Sequence, residues 1–401
     1  MGRWGVANVV QGRAAGARQT RRNIVEAARI AFVERGLVPV SLRDVAAGAG
    51  VSHPGLLRHF SSKASLIDAV FEGLDDELGR VLDGMAAGEM SLGAVARATA
   101  AVPSFDTLAS MLETADGAVE ARARLGKRWA EISRRLDGSP SVAALGLEQS
   151  LVLWTGLRLL AQYLPGDIQP AGFLDAEAGL GVRLESVGVP EVVVTLADMA
   201  ERSGIGYAPG EKRREEILSD ATSRFARHGY HGTSVRDVAD GVNVSPSTLL
   251  YHFGSKEQLL TAVLRRRDEM LASRAQEDVE PAEELAAIGA DARLDARDEP
   301  GLIELHTRVA SEAVAVGHPA HGYLAERYRR AIAYFTRLIG DARGEGGRDG
   351  FMPPAVAAVQ LVGLWEGLQI QALGDGDFRG IGDQLDAYVD SILPQEGRGP
   401  D

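Results

Sequence analysis

The chain has 401 residues, 45% apolar and 25% charged, with no cysteine. That length exceeds one ordinary domain, the composition is that of a water-soluble globular protein, and the missing thiols exclude disulfides and thiolate metal centres and fit a reducing cytoplasm. The formal charge of −13 argues against nucleic-acid binding until it is divided. Residues 1–67 carry ten Lys/Arg against three Asp/Glu, residues 211–267 carry ten against seven, and the remainder carries −23, so two cationic regions sit on acidic bodies.

In chain order, residues 1–18 are rich in Gly, Ala and Arg without periodicity and read as a disordered arm. Arg13, Arg18, Arg21 and Arg22 would let such an arm enter a minor groove. A first three-helix head follows over 19–66, a first helical body over 67–202 and a linker over 203–210. A second head takes up 211–259, a second helical body 260–395 and a short tail 396–401. The division rests on a repeat. A shift of 193 positions lays residues 24–66 on 217–259 without a gap, with 19 of 43 positions identical. An ungapped match of that length is not coincidence, and the chain is an internal duplication.

In the second head, Ile217, Ala221, Phe225 and Ala226 recur at helical spacing and form one apolar face. Gly229 stands where a helix end calls for a left-handed residue. Thr233 or Ser234 caps a short helix with Val235, Val238 and Ala239 as its buried stripe, ended by Gly241. Ser245 caps a third helix with Pro246 at its first position, where a missing N–H costs nothing. Leu249, Leu250 and Phe253 have core-facing spacing, which turns Ser247, Thr248 and Tyr251 outward. This order is a helix-turn-helix, whose last helix enters the major groove. The DNA-facing candidates are Arg236, Ser245, Ser247, Thr248, Tyr251, His252 and Lys256, matched in the first head by Arg43, Ser52, His53, Gly55, Arg58, His59 and Lys63. Small polar groups can approach base edges, while the two lysines add phosphate affinity without sequence information. His53-Pro54-Gly55 and Pro246-Ser247-Thr248 differ chemically, so the heads should read different bases.

Both segments resemble the N-terminal DNA-binding domain of the tetracycline-repressor (TetR) family over about 45 residues per copy. The residues that carry the likeness are Phe32/Phe225 and Gly36/Gly229, then Arg43-Asp44-Val45-Ala46 and Arg236-Asp237-Val238-Ala239, Val51-Ser52 and Val244-Ser245, and the closing His59-Phe60 with Lys63 and His252-Phe253 with Lys256. Leu57 and Leu250 replace a tyrosine frequent in the family, with Arg58 and Tyr251 placed to substitute for it. The resemblance implies an all-α chain of two TetR-like units and a transcriptional regulator. It further implies a repressor released from its DNA operator by a small-molecule effector.

The bodies read as helical almost throughout, with helices expected over 120–136, 141–164, 259–271, 298–316, 323–339, 353–373 and 381–393. Residues 192–194 read as a short helix or strand and 340–350 as a charged loop. Trp154-Thr155-Gly156-Leu157 is echoed by Trp365-Glu366-Gly367-Leu368. By the resemblance, the helices around these two motifs would pair the halves as an intramolecular pseudo-dimer; pairing between chains is the alternative. Effector-lining candidates are Phe105, Leu108, Met111, Trp129, Trp154 and Tyr163 in the first body, and His306, Tyr328, Phe335, Trp365 and Gln369 in the second. Each of these residues also has ordinary core packing as a reading. His306, His318 and His321 do not read as a metal site, because His318-Pro319 looks like a loop. No Gly-rich phosphate loop, Gly-x-Ser-x-Gly or His-Glu-x-x-His motif occurs, so neither an enzyme nor a bound cofactor is expected. No membrane segment is expected either, since the longest apolar run, 151–160, is broken by Arg158. The other readings are a non-specific DNA binder and a one-headed binder whose first head is degenerate.

Overall fold

The computed structural model describes residues 3–85, 90–115, 118–137, 139, 146–174, 208–272, 279–344 and 352–393. The expected element at 192–194, residues 203–207 of the linker, most of 340–350 and the tail lie outside those residues. The first half runs α1 (Arg3–Arg35), α2 (Leu42–Gly48), α3 (His53–Leu57), α4 (Lys63–Asp83), α5 (Leu92–Ala101), α6 (Phe105–Thr114), α7 (Val119–Leu136), α8 (Leu147–Tyr163) and α9 (Pro170–Leu174). The second repeats the order as α10 (Ala208–Gly232), α11 (Val235–Gly241), α12 (Pro246–Phe253), α13 (Lys256–Ala272), α14 (Pro281–Asp298), α15 (Pro300–Glu312), α16 (His321–Arg343), α17 (Pro354–Asp375) and α18 (Ile381–Ile392). Among the described residues there is no strand, and the fold is all-α.

Two sequence expectations are corrected. Residues 3–18, expected as a disordered arm, belong to α1; Ala, Gln and Arg favour a helix and no proline interrupts them, against the cost of Gly5, Gly12 and Gly16. The single helix expected over 298–316 is two. Pro300 disfavours the helical conformation at Glu299, which sits at φ −137°, ψ 48° between α14 and α15. Of the helix expected over 141–164, residues 141–145 lie outside the described residues, and the rest begins at Leu147, after Gly146 at φ 78°.

Each head hands over to a body through a long helix. On α4 the predicted stripe Leu66, Val70, Leu74, Leu78 and Leu82 is fully buried. Helix α7 closes on α4 through ion pairs as well as apolar contact, with Arg128 on Asp75 at 2.6 Å, Arg124 on Glu72 at 3.1 Å and Arg135 on Asp83 at 2.7 Å. The two halves share one continuous core. At its centre α8 crosses α17 at glycines. A Cβ on Gly156 would overlap the Gly363 carbonyl oxygen, and a Cβ on Gly367 would overlap that of Val152. Gly156 corresponds to Gly367 and Val152 to Gly363 in the Trp-x-Gly-Leu echo, so the crossing has local two-fold symmetry. Gln360 on α17 also donates to the Phe173 carbonyl at 2.9 Å. Residues 354–374 are long and apolar enough to cross a membrane by length and composition, a stretch the sequence reading passed over. Most of that helix is buried inside the protein.

Candidate nucleic-acid interface

Each head is built by local hydrogen bonds that its sequence specifies. Ser41 caps α2 by accepting from the Asp44 N–H at 3.2 Å, while the Ser41 N–H donates to the Asp44 carboxylate at 2.7 Å. Ser234 and Asp237 repeat this capping box at 3.1 and 2.8 Å. The turn that follows needs one left-handed residue, supplied by Gly50 at φ 66° and by Asn243 at φ 54°. Asn is among the few side chains that tolerate that region. Ser52 then caps α3 through the Gly55 N–H, and Ser245 caps α12 through the Thr248 N–H. Leu56 and Leu249 anchor the two recognition helices in the core, while Leu57 and Leu250 are exposed, against the core-facing spacing expected for Leu250.

The outward faces differ. In the second head Ser245, Ser247 and Tyr251 are exposed, Tyr251 by 86%. The Ser245 hydroxyl lies 2.7 Å from that of Ser247 and 2.8 Å from that of Thr248, a small polar cluster at the helix start. In the first head Ser52 and Arg58 are exposed and His53, Gly55 and His59 half-buried. Helix α3 has five residues against eight in α12. Arg43 and Arg236 are exposed at equivalent places on α2 and α11. Lys63 and Lys256 are half-buried and turned into the protein: Lys63 donates to the Val38 carbonyl at 2.6 Å and Lys256 lies 4.1 Å above the Tyr230 ring. Burial pulls both ammonium groups below the ordinary lysine value.

One symmetric pair was missed in sequence. Arg21 lies over the Phe60 ring at 4.8 Å and Arg214 over the Phe253 ring at 5.2 Å, and the two arginines are 193 positions apart like the rest of the repeat. The match fell just outside the stretch whose identity was apparent.

The bodies hold two dissimilar buried polar clusters. In the first, the rings of Phe71, Phe105, Trp129 and Trp154 form a continuous chain with centroid separations of 5.6, 5.9 and 4.8 Å. Arg158, 1% exposed, lies against Trp129 and Trp154 and pairs with Glu113. Burial raises the pKa of both Glu113 and Asp106, against the pull of Arg158. In the second, the His306 Nε2–H donates to Glu366 at 2.9 Å, and Asp268 accepts from Arg327 at 3.1 Å and from the Tyr323 hydroxyl at 2.6 Å. Burial pushes His306 down to about 4. Tyr163, expected to line the first body, instead reaches the second, where it donates to the Ala310 carbonyl, stacks on His321 at 5.2 Å and lies tilted against Tyr328 at 5.1 Å. Met111 and Leu108 are buried in the first core. Gln369 lies 3.4 Å from the Thr307 hydroxyl, and Trp365 and Phe335 are half-buried, Phe335 edge-on to Tyr334. The three histidines part company: His306 meets Glu366, His318 faces His231 and His321 donates to the Ala313 carbonyl.

Two helix-turn-helix heads on one all-α core define a protein with two DNA-binding domains in a single chain. The model of the tetR family of bacterial regulatory proteins matches residues 24–70 and again 217–263, so the chain carries that family's DNA-binding segment twice, in tandem. The transcriptional repressor KstR2 of Mycobacterium tuberculosis is 43% identical over 53 residues, 13% of this chain and 26% of that protein. The transcriptional regulator TcmR of Streptomyces glaucescens is 27% identical over 192 residues, 46% of this chain and 84% of its own. The chain thus spans about a quarter of the KstR2 relative that it matches. A TetR-family regulator from Agrobacterium tumefaciens superposes with a TM-score of 0.39 at 19% identity, over 46% of this chain and all of its own.

Proposed function

We propose that the chain is a sequence-specific DNA-binding transcriptional regulator, a repressor whose two unlike heads are held on an intramolecular pseudo-dimer. The observation that carries this reading is the two-fold crossing of α8 and α17, which joins two complete heads through one core. Tethering in one chain gives the halves an effective concentration of about millimolar, so pairing needs no second molecule. The DNA face is Arg43, Ser52, His53, Gly55, Arg58 and His59 in the first head. In the second it is Arg236, Ser245, Ser247, Thr248, Tyr251 and His252. Lys63 and Lys256 need only swing outward to join. The protein acts as a cytoplasmic binding protein and not as an enzyme.

Release by a small-molecule effector is part of the same proposal. It is supported by polar atoms left without a partner inside each body: Arg158 Nε and Nη1 with Trp154 Nε1 in the first, His306 Nδ1 and Glu366 Oε2 in the second. Buried polar groups are ordinarily hydrogen-bonded, so these are the points a polar guest would satisfy.

The test is recovery and sequencing of DNA bound by the purified protein from a random pool. Two unlike half-sites at one fixed spacing, occupied by one chain, are expected. A palindrome occupied by two chains would replace the pseudo-dimer by pairing between molecules, and no enrichment would leave a non-specific binder. The brevity of α3, with Pro54 and Gly55 inside it, favours a second reading in which the first head anchors and the second head reads. One conserved half-site beside a degenerate one would select it.

A further inference from the structure

The two heads are not attached to their bodies in the same way. Helix α15 is clamped to the second head by two side chains. Arg308 donates to the Ala226 carbonyl on α10 at 2.8 Å and also to the Thr114 carbonyl at the end of α6 at 3.1 Å. One turn later Glu312 accepts the Tyr230 N–H at 2.9 Å. Gly229, in the left-handed region at φ 67°, leaves the room that this carboxylate fills. The loop after α15 then runs to the other head. The Gly317 N–H donates to the Glu34 carbonyl at the end of α1 at 3.2 Å, and Ala315 lies under Gly36. In the first half the equivalent loop, between α6 and α7, is four residues long against eight here. In the first head Arg29 donates to the hydroxyl of Ser104, the residue that precedes α6.

We propose that residues 308–321 are a single joint that fixes both heads relative to one another, with Glu312 holding the second head and Gly317 seating the first. The joint sets the separation of the recognition helices and is thereby the spacing-determining element of the protein. Its bearing on DNA rests on the regulator reading above; its mechanical role does not.

The test measures the joint without DNA. The chain has no cysteine, so Ala47→Cys with Asp240→Cys gives two label sites at exposed, repeat-equivalent positions in the two heads. Pulsed electron resonance on the spin-labelled pair reads the distance between heads. The parent is expected to give one narrow distribution. Gly317→Val places a side chain against the Glu34 carbonyl, which a Cβ alone would approach to 3.0 Å, and should shift it. Glu312→Ala should broaden it, and Glu312→Gln, which keeps an acceptor for Tyr230, should restore the narrow form. Val316→Ser, at a residue 74% exposed in the same loop, should leave it unchanged. Parental distributions in both Gly317→Val and Glu312→Ala, with helicity retained, would overturn the joint, and so would equal broadening by Val316→Ser. A confirmed joint in a protein that selects no DNA would overturn only the regulator reading.

Discussion

Gly156 and Gly367 meet at the crossing of α8 and α17 so closely that a Cβ on the first would stand 2.8 Å from the backbone nitrogen of the second. The atoms in the way are main chain, which cannot turn aside as a side chain can. Gly367→Val should therefore exceed the ordinary overpacking cost of about 1–3 kcal/mol. Thermal unfolding reads it as a large fall in Tm. Gly374→Ala is the control: it lies on the same helix with nothing near its Cβ and should stabilise by about 0.5–1 kcal/mol. Equal melting of Gly367→Val and the parent would refute the crossing.

Arg158 should be costly to lose alone and cheap to lose with its partner. Breaking a buried pair leaves a charge unsatisfied at about 3–5 kcal/mol, but Glu113 can take up a proton because burial already raises its pKa. Arg158→Met is expected toward the lower end of that range, and Arg158→Met with Glu113→Leu should recover most of it. Denaturant unfolding of the two singles and the double measures the coupling; strict additivity would mean that the pair does not interact.

The heads were legible in sequence because their structure is local. Ser41 with Asp44, and Ser234 with Asp237, close capping boxes within four residues, and both copies spell the same order. The bodies were less legible because their contacts are distant. Nothing near Tyr163 in the chain announces that it donates to Ala310 in the other half, and Arg158 showed only as a break in an apolar run. Asn243 had to be seen at φ 54° before it could be matched with Gly50. Arg308 and Glu312 were not singled out in the sequence, because their partners are backbone groups of another domain, for which sequence carries no pattern.

Alanine at Tyr251 should weaken DNA binding more than alanine at Arg58 if the second head is the main reader, since Tyr251 projects 86% exposed from the longer recognition helix. Arg58→Ala, removing an exposed charge, should lower the salt dependence of binding by about one unit of log–log slope. Equilibrium binding at several salt concentrations separates the two. An unchanged affinity in both variants would remove these faces from the interface.

Acid should destabilise the second body through His306, and the sign follows from its burial. The folded state holds the imidazole at about 4 against 6.5 when free, because burial outweighs the pull of Glu366; Arg267 and Arg327, which face the same cluster, act in the same direction as burial. Between those values the unfolded chain binds the extra proton, so stability rises with pH through the window. The contribution is present above pH 6.5 and is lost as pH falls toward 4, with a ceiling on the order of 3 kcal/mol. His231 and His318 have folded values of about 4 and about 3 and act in the same sense. Glu312 opposes them: burial raises it from 4.5 to about 7, so its contribution is present below 4.5 and is lost as pH rises to 7. Glu113 and Asp106, also raised by burial, act with Glu312, so the His306 part of the fall in Tm expected from pH 6.5 to 5 is read against a variant. His306→Gln keeps a donor for Glu366 and should flatten that fall. A Tm–pH slope identical to the parent's would show that His306 is not titrating in the unfolding transition.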